Sequence, residues 1–344
     1  MNPDALFDAL ASSVEPETKE NPLLKGIYFD LASVELDFAF IESLTLTKST
    51  RSGTPEPFRM MPFQKKLIGN LLGWKREDGS RLYRTAYLGC ARKQSKTQTI
   101  GAVALDLLVM DPEPYQEIYA AAKTSEQAEK LYLAASEMVM AHEELPDILQ
   151  IIPYRREIRH RTNGGMFKAL TSEGKAKHGS NPSTILYDEF HVWGAREEEL
   201  RKALSTGRGA RRQPLEVYLT TAGVDEETMC YREYEYSKRI IEGLVEDPTY
   251  FPLIYEVPKE ADWTDKSLWH LANPALGVTV RMEYLEEEFV KAMNMPHLQT
   301  EFRQLYLNQW VNSKSAWIPL PKWDACSWNI SSPFPVTPAL TLRP

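Results

Sequence analysis

The sequence predicts an α/β fold, with a mostly parallel central sheet and helices on both faces. Three observations carry that prediction. Short β-rich runs recur at Tyr83 to Gly89, Glu117 to Ala121, Gly165 to Leu170, Thr184 to Tyr187 and Leu215 to Thr221. Amphipathic stretches lie between them, clearest at Thr97 to Met110 and Ser125 to His142, with apolar residues three and four apart. Strands alternating with helices build a sheet covered on both sides. Finally, the first run leads into a basic turn that opens a helix, the context of a phosphate-binding loop.

The bulk numbers fit a globular protein with a substantial core. At 344 residues the chain has room for roughly two units of about 150 residues. Hydrophobic residues at 43% and charged residues at 26% match ordinary globular domains and argue against wholesale disorder. Cys90, Cys230 and Cys326 are too few and too scattered for a disulfide framework or a four-ligand zinc site, which points to a reducing cytosol. The most apolar stretch, Ile100 to Met110, is too short to span a bilayer and carries Asp106, so no membrane role is expected. A net charge of -8 excludes a protein that coats nucleic acid with its whole surface. Two basic tracts nevertheless suit local contact with a polyanion. From Ile151 to Pro182 there are seven Arg or Lys against two Glu, and from Arg201 to Gln213 five basic residues and no acid. Either tract also reads as a solvated face.

Along the chain, residues 1–57 form an acidic lead-in, expected to be peripheral and helical, that ends in the turn-rich Ser49 to Pro57. After Asp225 the pattern turns helical, with Glu226 to Leu244 and Met282 to Met295 the clearest segments, and predicts a small helical linker subdomain. The stretch from Ser331 to Pro344 holds four prolines and one charged residue and reads as an irregular tail.

The candidate phosphate loop is Ala91-Arg92-Lys93-Gln94-Ser95-Lys96-Thr97. Backbone amides and the positive end of the following helix cradle phosphates, Lys96 reaches the β- and γ-phosphates of ATP, and the Thr97 hydroxyl coordinates Mg2+. Ser95 stands where G-x-x-x-x-G-K-[ST] has glycine, and Gly89 lies one residue too far away. A serine in a left-handed backbone position costs on the order of 1 kcal/mol, which a folded loop absorbs. The run Thr184-Ile185-Leu186-Tyr187 ends in Asp188-Glu189, a Walker B pattern in the required order. Asp188 is placed to hold Mg2+ and Glu189 to polarise the attacking water. A third run ends in Thr220-Thr221-Ala222-Gly223; between the other two strands it would let Thr220 or Thr221 sense the γ-phosphate. Upstream, Gln64 of Met61-Pro62-Phe63-Gln64 is a candidate reader of the adenine edge. Taken alone, these last two also read as a capped strand end and an ordinary helix start. His191, two residues past Glu189, is read as a structural histidine.

Together these segments resemble the large terminase subunits of tailed bacteriophages. The resemblance runs from about Pro62 to Cys326 and includes Tyr119-Ala120-Ala121-Ala122, Gln127-Ala128, Gln213-Pro214, Ala272-Asn273-Pro274-Ala275-Leu276-Gly277 and Leu307-Asn308-Gln309-Trp310. The last two carry no obvious chemistry. The resemblance implies a P-loop NTPase of the additional-strand, catalytic-glutamate type, an ATP-hydrolysing motor in the host cytoplasm that drives double-stranded DNA into a procapsid. Its implied partners are the portal protein, the small terminase subunit and further copies of the chain in a ring. Carried over by motif, Gln64 would contact adenine, residues Arg92 to Thr97 would hold the triphosphate, Thr97 and Asp188 would hold Mg2+, Glu189 with Arg92 would act in catalysis, and Thr220 and Thr221 would couple. A ring motor also needs a charge-stabilising arginine. Arg92, Arg155, Arg156, Arg208, Arg211 and Arg212 are candidates. The expected organisation is a lead-in over 1–57, the ATPase over 58–245, a helical linker over 246–326 and a tail over 327–344 in place of a nuclease domain, so nuclease activity is not expected. Alternatives are a terminase remnant that binds nucleotide without turnover, and another P-loop translocase of helicase type.

Overall fold

The computed structural model describes residues 25–47, 54–171 and 179–311. An eight-stranded sheet forms its centre. In chain order the strands are β1 (Thr85–Gly89), β2 (Glu117–Ala122), β3 (Leu149–Ile152), β4 (Glu157–His160), β5 (Met166–Thr171), β6 (Thr184–Asp188), β7 (Leu215–Thr220) and β8 (Tyr250–Ile254). Across the sheet the order is β8-β1-β7-β6-β2-β5-β4-β3. The first six are parallel, and a hairpin of β4 and β3 adds two antiparallel strands at one edge. The main helices are α1 (Leu31–Ser43), α2 (Pro62–Gly73), α3 (Lys96–Met110), α4 (Ser125–Ala141), α5 (Ala195–Gly207), α6 (Met229–Ile241), α7 (Met282–Asn294) and α8 (Pro296–Tyr306).

Alternating side chains send each strand into two cores. Ala86, Leu88, Ile118, Ala120, Leu186, Val217 and Leu219 pack on one face with apolar residues of α1 to α4. Tyr87, Tyr119, Ile185, Tyr187 and Tyr218 pack on the other with Leu200 and Leu204 of α5 and Met229 and Cys230 of α6. Covered on both sides, the central strands β6 and β7 are buried at every position, which is why they read as continuous apolar runs. The rings of Tyr187 and Tyr218 stack at 4.8 Å across this pair.

Two expectations are corrected. Within the lead-in, α1 is helical as expected but not peripheral: Val34, Phe38 and Ile41 are buried in the main core. Strand β8 lies in the stretch assigned to a helical linker, yet it pairs along its whole length with β1. The sheet therefore reaches past residue 245. The expected tail, residues 327–344, lies outside the described residues.

Under α1 sits a buried charge network with a pH signature. Arg81 pairs with Asp111, and Gln213 donates to both Asp111 carboxylate oxygens at 3.0 and 3.2 Å. Burial, partly offset by Lys75, pushes the Asp37 carboxyl up to about 6. A raised carboxyl favours folding fully only below its unfolded value; that contribution is lost as pH rises through about 4 to 6. Asp37→Asn is therefore expected to raise stability at pH 7 by about 1–2 kcal/mol. Thermal melts at pH 4 and pH 7 should show the gain at pH 7 only; an equal shift at both would refute the ionisation account.

Candidate functional site

The carboxyl ends of three neighbouring strands, β1, β7 and β6, bring the motif residues together. Gly89 at the end of β1 leads into the loop, and α3 begins at Lys96. Lys93 and Ser95 have φ of 68° and 55°, so the loop does use the left-handed position that Ser95 fills in place of glycine. The turn aims the first amides of a fifteen-residue helix, which lack intrahelical partners, at one point. Thr97 stands half-buried in that first turn, and Arg92 and Lys93 are exposed on the loop's outer side.

Lys96 is buried and all three ammonium protons have acceptors. Its Nζ donates to the carbonyls of Ala91 at 2.9 Å and Cys90 at 3.3 Å, and to the Thr221 hydroxyl at 2.9 Å. The third motif thus touches the phosphate-loop lysine directly, as its place between the other two strands predicts. Asp188, at the end of β6, is 5% exposed, and its Oδ1 has no hydrogen-bond partner. Burial, reinforced by the neighbouring Glu189 and opposed by Lys96, pushes its carboxyl up to about 7. A buried carboxylate oxygen without a donor calls for a cation, so the residues present fit Mg2+. That ion needs only one or two protein carboxylates beside substrate phosphates, and among the described residues no group of three His, Cys, Asp or Glu side chains forms a metal cage of its own.

Glu189 follows with φ 47° and ψ 48°, a left-handed backbone that costs a non-glycine residue about 1–2 kcal/mol. The kink turns its side chain away from the strand direction. His191 is not a bystander: its Nδ1 lies 3.3 Å from Glu189 Oε2 and 3.2 Å from Thr220 Oγ1.

Two predicted contacts take other roles. Gln64 is 1% exposed; its Oε1 accepts from the Met61 amide at 2.8 Å and its Nε2 donates to Thr99 of α3 at 2.8 Å. It braces α2 against the phosphate-loop helix. Gln94 turns away from the loop's concave side, donating to Asn273 Oδ1 at 3.0 Å and accepting from the Ala275 amide at 2.8 Å.

Those partners belong to a segment whose importance the residue types did not reveal. The loop's Ala91 is buried in a third core with Trp269, Ala272, Phe302, Tyr306 and Leu307. Its amide donates to Ala272 at 3.1 Å, that of Arg92 to the Leu305 carbonyl at 2.8 Å, and the Thr279 hydroxyl donates to the Lys93 carbonyl at 2.6 Å. Asn273 holds the far side through the carbonyls of Trp269 and Tyr306. The Ala272–Gly277 and Leu307–Trp310 segments are the outer wall of the phosphate loop.

The basic tracts are mostly neutralised within the fold. Arg156 pairs with Glu129, Lys168 with Glu157, Arg201 with Glu233, Arg208 with Glu216, Arg211 with Glu113 and Arg212 with Asp78. Of the six candidate arginines, Arg92 and Arg155 are exposed without a carboxylate partner among the described residues; Arg155 lies over the ring of Tyr154, which is 83% exposed.

Comparison with known proteins agrees with this fold. The family described as terminase large subunit, ATPase domain, matches residues 62–239, and the terminase large subunit endonuclease domain matches residues 244–334. The second match corrects the expectation that nothing of the nuclease half is represented. Its described part nevertheless begins with β8 and continues into the wall around the phosphate loop. The large terminase subunit of Enterobacteria phage HK97 is 30% identical over 290 residues, 84% of this chain and 55% of that protein. The protein YmfN of Escherichia coli K12 is 36% identical over 148 residues, 43% of this chain and 32% of its own length. The crystal structure of the HK97 large terminase superposes with a TM-score of 0.70 at 29% identity, covering 85% of this chain and 58% of that one. The chain thus spans about half the length of the HK97 relative.

Proposed function

The chain belongs to the large-subunit terminases, and we propose that it is the ATP-hydrolysing motor of viral DNA packaging. The observation that carries the proposal is the convergence of Lys96, Thr221, Asp188 and Glu189 at the ends of β1, β7 and β6. In this reading Lys96 and the first amides of α3 hold the triphosphate, Thr97 and Asp188 hold Mg2+, and Glu189 takes the proton of the attacking water. When bound, Mg2+ supplies charge neutralisation between the phosphates. Arg92 and Arg155, the exposed members of the arginine set without a carboxylate partner among the described residues, are the side chains available for transition-state charge, in the same subunit or a neighbour. The proposed partners are double-stranded DNA, the portal protein, the small subunit and further copies of the chain, in the host cytoplasm. We assign residues 244–311 to the motor, since they supply β8 of the central sheet and the wall around the phosphate loop.

The test is Mg2+-dependent ATP hydrolysis by the purified chain with and without linear double-stranded DNA. Turnover that rises with DNA is expected; tight ATP binding without turnover would favour the inert remnant.

Magnesium binding should carry a pH signature. Metal must displace the proton that burial favours on Asp188, so affinity falls up to about tenfold per unit below pH 7. Calorimetric Mg2+ titrations in the presence of ADP at pH 6, 7 and 8 check this, and an affinity flat across that range would remove Asp188 from the metal site.

A further inference from the structure

His191 stands between the catalytic glutamate and the third motif, and its contacts define where its hydrogen lies. Thr220 Oγ1 donates to the Thr221 carbonyl at 3.0 Å, which uses the hydroxyl's single proton. The same oxygen accepts from the His191 backbone amide at 2.9 Å. Toward the imidazole Nδ1 it is therefore an acceptor. Glu189 Oε2, the other neighbour of Nδ1, is an acceptor as a carboxylate oxygen. Two acceptors facing one ring nitrogen require that Nδ1 carry the hydrogen, and one N–H serves both.

Nδ1 lies 3.2 Å from Thr220 Oγ1, within hydrogen-bond reach, and 3.3 Å from Glu189 Oε2, a charge-pair contact. Each is long for an N–H···O bond, so shortening one lengthens the other. Thr220 is fixed at the end of β7, fully buried, and its neighbour Thr221 is bonded to Lys96 at 2.9 Å. Thr221 takes the Lys96 ammonium on its hydroxyl and the Thr220 hydroxyl on its backbone carbonyl, and Thr220 Oγ1 faces His191 Nδ1, itself 3.3 Å from Glu189 Oε2, so a chain of contacts through adjacent residues joins the phosphate-loop lysine to Glu189. Glu189 needs such a guide: its side chain is 31% exposed, and His191 is the one side chain in charge-pair contact with it among the described residues.

We infer that His191 is a positioning residue of the hydrolytic reaction, its Nδ1–H passing between Thr220 and Glu189 so that the state of the phosphate loop sets the orientation of the catalytic carboxylate. This rests on the ATPase reading above. The chemistry asks only for a single N–H donor at the Nδ1 position, with no proton transfer and no covalent step.

The experiment uses His191→Ala, His191→Asn and Thr220→Val in the full chain, with kcat and KM for ATP, binding of a fluorescent ATP analogue, and melting temperature measured for each. His191→Ala is expected to lower kcat about 10- to 100-fold, the scale of a misplaced catalytic group, while KM and analogue binding stay within about twofold. Asn places an amide N–H where Nδ1–H lies and should restore most of the loss. Thr220→Val removes the acceptor of the His191 backbone amide as well as the oxygen facing Nδ1, so it should lower kcat at least as far as His191→Ala. An unchanged kcat in His191→Ala, a loss shared equally by kcat and analogue binding, or failure of Asn to restore more than Ala would overturn the assignment while leaving the ATPase reading intact. A wild-type chain that binds ATP without turnover would overturn the ATPase reading and this role together.

Discussion

Glu189→Gln is expected to reduce ATP turnover by about 10²- to 10⁴-fold, the contribution of a positioned general base, and to leave nucleotide affinity within about threefold. The substitution keeps size and shape and removes only the ability to accept a proton. The structure separates this residue from its neighbour. Asp188 is 5% exposed at the strand end, whereas Glu189 has turned out of the strand through a left-handed backbone into partly solvated space. A carboxylate that must meet water needs that access, and one that must hold a metal needs the dry position with an unpartnered oxygen. The two acids therefore fail differently when changed. Glu189→Gln should bind ATP and Mg2+ with normal stoichiometry and arrest before hydrolysis; Asp188→Asn should lose Mg2+ affinity itself. Single-turnover kinetics alongside equilibrium binding distinguish them. Turnover in Glu189→Gln within threefold of wild type would sink the general-base assignment, and a matching loss of ATP affinity would mean that the residue binds substrate instead.

Much of this site was legible because its chemistry is local in sequence. A buried parallel strand is apolar throughout and its end is polar, so Thr184 to Glu189 and Leu215 to Thr221 announced both the strands and the candidate site at their ends. What stayed hidden depends on partners far along the chain. Strand β8 carries Pro252 and follows Asp247-Pro248, a turn signal; the proline is tolerated because this strand lies at the sheet edge and pairs only with β1. The basic tract from Arg201 to Gln213 left a polyanion contact and a solvated face both open because its partners Glu233, Glu113 and Asp78 lie far away in sequence. His191 read as a structural histidine, though it lies only two residues beyond Glu189; the contact was unreadable without the kink at Glu189. Gln64 and Gln94 have side chains suited to a ligand, and the fold turns both inward.

Asn308→Ala is expected to cost about 3–5 kcal/mol of folding stability, more than any exposed site in this chain, although Asn308 carries no catalytic role. The figure follows from two buried groups left unpaired at about 1–3 kcal/mol each, plus the preference of Asn over Ala for a left-handed backbone. Asn308 is 3% exposed with φ 53°. Its Oδ1 accepts from the Ala222 amide at 2.7 Å and its Nδ2 donates to the Tyr255 carbonyl at 2.8 Å. One side chain thereby pins the segment after α8 to the end of the coupling strand β7 and to the residue that follows β8. Its neighbours do related work. Gln309 donates to the carbonyls of Val257 and Pro258, and Trp310 packs so closely on Gly223 that a Cβ there would meet the indole at 2.6 Å. The glycine closing Thr220-Thr221-Ala222-Gly223 is thus required by the tryptophan closing Leu307-Asn308-Gln309-Trp310. Two segments without reactive groups are the mechanical seat of the segments that have them. Chemical denaturation of Asn308→Ala measures the cost, and Asn308→Asp, which keeps the acceptor for Ala222 but puts a second acceptor against Tyr255, should fall at least as far. A loss below about 1 kcal/mol in both would show that the clamp is not what holds β7 to the phosphate-loop wall.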